Sequence, residues 1–155
     1  MSSEFTVFIC SSMKEFGTLR GFLAPELRKN FEVFLYETGA GARPETPRCA
    51  SLEEVERADA IVAILGRQYG PITIEELCHA LELEKPCFVY VLTLVEARDS
   101  RLQKFIEERL SGADHVSYST FSGKDLPAFT QSVGRDITLW MARELRRLQD
   151  VLQTR

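Results

Sequence analysis

Short apolar runs alternate with longer amphipathic ones along this chain. FTVFIC (5–10) is mostly apolar and rich in strand formers. Residues 13–30 carry Phe16, Leu19, Leu23 and Leu27 at the spacing of one helix face. FEVFLY (31–36) predicts a second strand, and ETGAGARPETPRC after it is too punctuated by Gly and Pro for regular structure. Ser51, with Glu54 three residues on, predicts a capping box opening a short helix. DAIVAILG (59–66) is a nearly unbroken apolar run, as a strand buried on both faces requires. GPITIEELCHALELEKP (70–86) predicts a helix, with Thr73 and Glu76 as a second capping box. PCFVYVLTL (86–94) is a fourth strand, 99–110 a helix, HVSYSTF (115–121) a weaker fifth strand, and 125–155 a long closing helix.

Strands alternating with helices predict βαβ units, a parallel sheet and right-handed crossovers. The expected fold is α/β, a doubly wound three-layer sandwich with a five-stranded parallel sheet in the flavodoxin-like order 2-1-3-4-5. Residues 1–155 are expected to form one domain. The closing helix carries Phe129, Val133, Ile137, Trp140 or Met141, Leu145, Leu148 and Leu152 as one stripe. At 1.5 Å per residue it reaches roughly 45 Å, whereas a typical strand spans under about 20 Å. Its distal part should therefore pack on a partner protomer or a following domain.

Composition narrows the class without choosing a function. The 155 residues are 45% hydrophobic and 27% charged, with a net charge of -4. These totals give no sign of the basic stripe of a nucleic-acid binder. No apolar run approaches the roughly 20 residues of a membrane span, and the first ten residues lack the features of a secretory signal; a cytoplasmic location is expected. Cys10, Cys49, Cys78 and Cys87 show no C-x-x-C or metal spacing, so reduced thiols and no metal are expected. Cys10 and Cys87 read as small core residues.

In this sheet order ligands bind beyond the C-terminal ends of the strands, between strands 1 and 3. That rule selects Ser11 and Ser12 after strand 1. Small hydroxyl residues at a helix start suit a phosphate or sugar, although either one also serves as an ordinary N-cap. It selects the long loop holding Arg43, and GRQYG (66–70), where Gly66 opens the loop, Arg67 offers a phosphate partner and Tyr69 a stacking face. Thr73 and Glu76 follow. By helical phase Glu76 shares a face with Ala80 and Leu83, with small Ala80 leaving room for a ligand, while Ile74, Leu77, Cys78 and Leu81 form the core stripe. Glu75, Glu82 and Glu84 read as solvated charges.

The runs FTVFICSSMKEFGTLRGFLAPELRK, GARPETPRCASLEEVERADAIVAILGRQYG and TIEELCHALELEKPCFVYV together resemble the domain of unknown function 4062 family, over residues 5–118. Its members commonly stand at the N-terminus of larger proteins, NLR-like ones among them. That family is similar to TIR domains and to nucleoside deoxyribosyltransferases, which place a carboxylate on the helix after strand 3. Glu76, Ala80 and Lys85-Pro86 match that spacing, Thr73 matches a Thr three residues before the transferase Glu, and ADA (58–60) resembles the acidic start of their third strand. Gly70 stands where the transferases carry a base-reading Asp, and Ile72 and Thr73 stand where TIR enzymes often carry an aromatic residue or Cys.

The resemblance implies cleavage of an N-glycosidic bond in NAD or a related nucleotide, in an immune or defence context and dependent on oligomerisation. Glu76 would stabilise or attack the oxocarbenium-like centre. Ser11, Ser12, Arg43, Gly66, Arg67, Tyr69 and Thr73 would hold the substrate, with no cofactor. The expected partners are the nucleotide and, through the closing helix, further copies or a larger protein. The alternative is a non-catalytic interaction and oligomerisation module of an NLR-like assembly.

Overall fold

The structure is a computed structural model and describes residues 4–36, 41–42, 44–111 and 117–154. In chain order it forms β1 (Thr6–Ser11), α1 (Met13–Arg28), β2 (Glu32–Phe34), α2 (Pro47–Arg57), β3 (Ala60–Leu65), α3 (Pro71–Glu82) and β4 (Cys87–Leu92). These are followed by α4 (Ser100–Phe105), which runs into a π-helical turn (Ile106–Leu110), then β5 (Tyr118–Phe121) and α5 (Leu126–Gln153). The five strands are all parallel, in the order β2-β1-β3-β4-β5.

Strand alternation divides the core into two halves. Val7, Ile9, Val62, Ile64 and Tyr90 point to one face, with Leu19, Leu23 and Leu27 of α1 and Phe129, Val133 and Ile137 of α5. Phe8, Cys10, Ile61, Ala63, Leu65 and Val89 point to the other, with Val55 of α2, Leu77 and Ala80 of α3 and Leu102 of α4. Every residue of β3 is buried, because the strand has a neighbour on each side and helices on each face. Burying one such aliphatic side chain is worth about 1.5–3 kcal/mol. This explains why the central strands read as continuous apolar runs. The edge strand β2 keeps only three residues of its six-residue apolar run.

Two predicted helix starts are replaced by others. α2 begins at Pro47, capped by Thr46, whose Oγ1 accepts from Cys49 N at 3.2 Å. Proline at the first helical position, behind a threonine, outcompetes the Ser51-Glu54 box, so Ser51 lies inside the helix and is buried. α3 likewise begins at Pro71, behind Gly70, with no side-chain cap. The Thr73-Glu76 capping box does not form, and Glu76 is released for other contacts. The helix predicted over 99–110 is α-helical only to Phe105. His115, at the predicted start of the fifth strand, lies outside the described residues; the strand begins at Tyr118.

α5 starts on an Asp125 cap, with Oδ1 accepting from Ala128 N at 3.1 Å, and outruns the sheet. Its buried residues end at Ile137, while Leu145 (59%), Leu148 (51%) and Leu152 (68%) are exposed. Among the described residues no helix is long and apolar enough to cross a membrane.

Candidate functional site

β1 and β3 are adjacent, but the helices that follow them cover opposite faces of the sheet. α1 packs on one side and α3 on the other. A crevice therefore opens between their N-terminal ends, at the switch in strand order. It holds a cavity of about 390 Å³. Its walls are mostly apolar, from Phe8, Ile9, Met13, Tyr36, Pro47 and Ile72, and its polar groups include Ser11, Ser12, Ser51, Thr73 and Glu76. Lys14, Arg20 and Arg48 supply the cations along the lining.

Glu76 is 7% exposed and lines this cavity. Ser51 donates its hydroxyl to Oε2, and the Cys10 thiol lies 3.8 Å from Oε1. Neither contact is a backbone N–H, the partner a helix-capping carboxylate would take. Burial raises the Glu76 pKa above the ordinary carboxylate value. The Ser51 hydroxyl, the positive field of Arg20 and the Cys10 contact each pull it back down, and Glu75 pushes it up. Burial, and secondarily Glu76, also hold the Cys10 thiol well above its usual pKa, so Cys10 is a neutral core thiol and not a thiolate.

A raised carboxyl pKa has a fixed sign in stability. The folded state prefers the protonated form, so the ionised Glu76 weakens the fold increasingly as pH rises from the unfolded carboxylate value through the folded one. Glu76→Gln should therefore melt above wild type at neutral pH. That gain should vanish below the ordinary carboxylate range, and thermal melts across pH 4–8 check it. A constant difference across that window would contradict the burial cost.

Ser11 and Ser12 both reach the cavity, with different duties. Ser12 caps α1, accepting from Glu15 N at 3.3 Å. Ser11 is tied down by Arg20, whose Nη1 donates to its carbonyl at 3.0 Å and its hydroxyl at 2.7 Å. Arg20 is 4% exposed. It points into the site because position 20 lies about two turns into α1, on the helix face that looks back at the end of β1.

The GRQYG loop turns to other partners. Glu15 of α1 accepts from the amides of Arg67 and Gln68, the latter at 3.1 Å, and so occupies N–H groups that an anion would otherwise use. A Cβ at Gly66 would stand 2.2 Å from Glu15 Oε1 and 2.5 Å from Phe16 Cζ, so only glycine admits this clamp. Glu15→Ala should speed amide exchange at Arg67 and Gln68 and cost about 1–2 kcal/mol; unchanged exchange there would show that the clamp carries no weight. Arg67 pairs with Glu96, Tyr69 lies under the Arg101 guanidinium at 4.5 Å, and Gly66 lines only a small adjoining crevice. These three are not brought into the Glu76 cavity. Arg43 lies outside the described residues.

Further neighbours correct the sequence reading. Glu75 is not simply solvated, because Arg48 at the cavity rim pairs with it. Ala80 is fully buried in the core and leaves no room at the cavity. Lys85 donates to the carbonyls of Glu56 (2.6 Å) and Ala58 (2.8 Å), which gives the Lys-Pro turn a structural duty at the end of α2. Sequence reasoning missed Arg20, Ser51, Tyr36 and Lys14 as cavity residues. Only the loop position of Tyr36, at the end of the second apolar run, offered a signal. Among the described residues no cluster of His, Cys, Asp or Glu is placed to hold a metal.

Comparison with known proteins adds three findings. The model of the family described as "Domain of unknown function (DUF4062)" matches residues 6–136. The TIR domain of the Toll-related receptor TRR-2 from Hydra magnipapillata superposes with a TM-score of 0.57 at 17% identity, covering 85% of this chain and 97% of that one. Rubredoxin oxygen:oxidoreductase from Desulfovibrio gigas superposes with a TM-score of 0.52 at 14% identity, covering 91% of this chain but only 37% of that enzyme. At these identities the likeness is one of fold. A search of curated proteins finds no match.

Proposed function

The chain belongs to the DUF4062 family, and from that premise we propose that it is a TIR-like effector or signalling domain that cleaves the N-glycosidic bond of NAD or a related nucleotide. The observation that carries this reading is Glu76: a buried carboxylate on the wall of an open, largely apolar cavity, bound by side chains and not by backbone caps. A cavity of about 390 Å³ falls within the range of small-molecule sites. An oxocarbenium-like centre placed against Glu76 gains from a negative charge in a site of low dielectric.

The lining also bears on the substrate. Among the described residues it holds no His and no Asp. A neutral base needs a proton as it departs, and Glu76 cannot supply that proton while also serving as the stabilising anion. A pyridinium N-glycoside such as NAD needs none, because its base leaves neutral. Tyr36 and Ile72 offer the ring an apolar wall, with Lys14 and the Ser11–Ser12 turn beside the ribose and phosphates.

Nicotinamide release from NAD tests the reading, measured on the protein free and held in forced oligomers, with neutral nucleosides in parallel. Release from NAD in preference to neutral nucleosides is expected. No release even from the forced assembly would overturn it. A second reading, a non-catalytic interaction module of a larger defence assembly, is favoured by the exposed leucines of distal α5. It would gain if NAD is untouched and the protein still self-associates. The two readings join if assembly through α5 is what switches cleavage on.

A further inference from the structure

We propose that Ser51 is the positioning residue of Glu76: by donating to Oε2 it fixes the carboxylate in one orientation at the cavity wall. The catalytic part of this rests on the glycohydrolase reading; the positioning part does not.

Ser51 sits in the middle of α2, 4% exposed, 25 positions before Glu76 in sequence and across a helix interface from it. A hydroxyl in a helix usually turns back to its own preceding carbonyls. Thr130, Ser132 and Thr138 of α5 do so, donating to Pro127, Phe129 and Gly134 at 3.0, 2.6 and 3.0 Å. Ser51 instead sends its hydroxyl to a carboxylate on α3. A buried hydroxyl committed in this way locks the Glu76 side chain and takes up one of its two oxygens.

The other oxygen lies toward the Cys10 thiol. The Cys10 thiol has one proton and two acceptors in range, Thr73 O at 3.1 Å and Glu76 Oε1 at 3.8 Å. The carbonyl is the nearer acceptor, and the contact to the carboxylate is long. Arg20, from α1, donates Nη1 to Ser11, and its positive field favours the ionised Glu76. On α3, Glu75 is the adjacent negative charge, offset by its pair with Arg48 of α2. Among these groups Ser51 is thus the closest hydrogen-bond donor to the carboxylate. In the reaction the C1′–N bond would break with its electron pair leaving on the base, and the Glu76 carboxylate would face the cationic C1′. Water then adds to C1′, its proton passes to solvent, and the carboxylate is restored.

The test follows the Cδ resonance of Glu76 in protein carrying 13C-labelled glutamate, assigned by its loss in Glu76→Gln, across a pH titration. Ser51→Ala should raise the Glu76 midpoint by about one pH unit, the size of a lost charge-assisted hydrogen bond. Ser51→Thr should keep the wild-type midpoint, and Ser51→Cys, a weaker donor of similar size, should fall between. In protein that cleaves NAD, Ser51→Ala should lower kcat about tenfold with little change in KM, shift the acid limb upward with the midpoint, and be rescued by Thr. An Ala midpoint equal to wild type, or an unchanged kcat in active protein, overturns the proposal. If the midpoint moves as expected and no variant cleaves anything, Ser51 still positions Glu76 and it is the glycohydrolase reading that falls.

Discussion

Replacing Glu76 by Gln should abolish nicotinamide release from NAD while the protein stays folded. Gln is nearly isosteric, and its amide oxygen can still accept from Ser51, so the cavity keeps its shape. What disappears is the negative charge beside the developing cation. In a buried site, removing one preorganised electrostatic partner typically lowers kcat about 10²–10³-fold, roughly 3–4 kcal/mol of barrier. The loss should fall on kcat more than on KM, because the charge matters most when the cation forms. The control is Glu82→Gln, on the exposed far end of α3. Glu75 is a poor control, since its pair with Arg48 would leave a bare cation at the cavity rim. A Glu76→Gln protein that releases nicotinamide within a few-fold of wild type would remove Glu76 from the mechanism.

Arg20→Leu should be the most damaging single change to the fold around the site. The guanidinium is buried and holds both the carbonyl and the hydroxyl of Ser11 at the end of β1. Leucine would leave those acceptors buried without this donor and would strip a positive field from Glu76. Truncating one partner of a buried, charge-assisted pair leaves the other unsatisfied, at about 2–4 kcal/mol here. For a chain of this length that corresponds to a Tm lower by roughly 6–12 °C. Arg20→Lys should recover only part of it, because one ammonium group lacks the planar fork. Urea denaturation with an unchanged m-value checks both variants. A loss under about 0.5 kcal/mol, the range of ordinary surface changes, would show that the contact is incidental.

How far the chain could be read depended on the distance over which each signal acts. The strands and their parallel pairing were legible because burial on two faces demands unbroken apolar runs, as in AIVAIL of β3. The order β2-β1-β3-β4-β5 followed from the alternation with helices. Helix starts were less legible, because two local signals competed. Thr46-Pro47 and Gly70-Pro71 opened α2 and α3, where capping boxes at Ser51 and Thr73 were equally well formed in sequence. The displacement mattered: it is what made Ser51 an interior helix residue facing Glu76.

Within the site, the fold rule and helical phase were enough to pick out Ser11, Ser12, Thr73 and Glu76 as neighbours of one crevice, and they line one cavity. The same rule drew in Gly66, Arg67 and Tyr69, which the fold assigns to Glu15, Glu96 and Arg101. A loop's position is a property of topology, whereas the direction its side chains take depends on which neighbours outbid the cavity for them.

By itself, then, the sequence determined the layered α/β fold, the edge of the sheet where a site belongs, and the excess length of the last helix. These rest on hydrophobic periodicity and chain connectivity, which are written locally. Only the tertiary structure decided that Arg20 clamps Ser11, that Arg48 neutralises Glu75, and that Ser51 holds one oxygen of Glu76. Each of these joins polar groups from different elements in a buried crevice. Once there, such groups must find partners among whatever the fold brings within about 3 Å, and no periodicity along the chain records that choice.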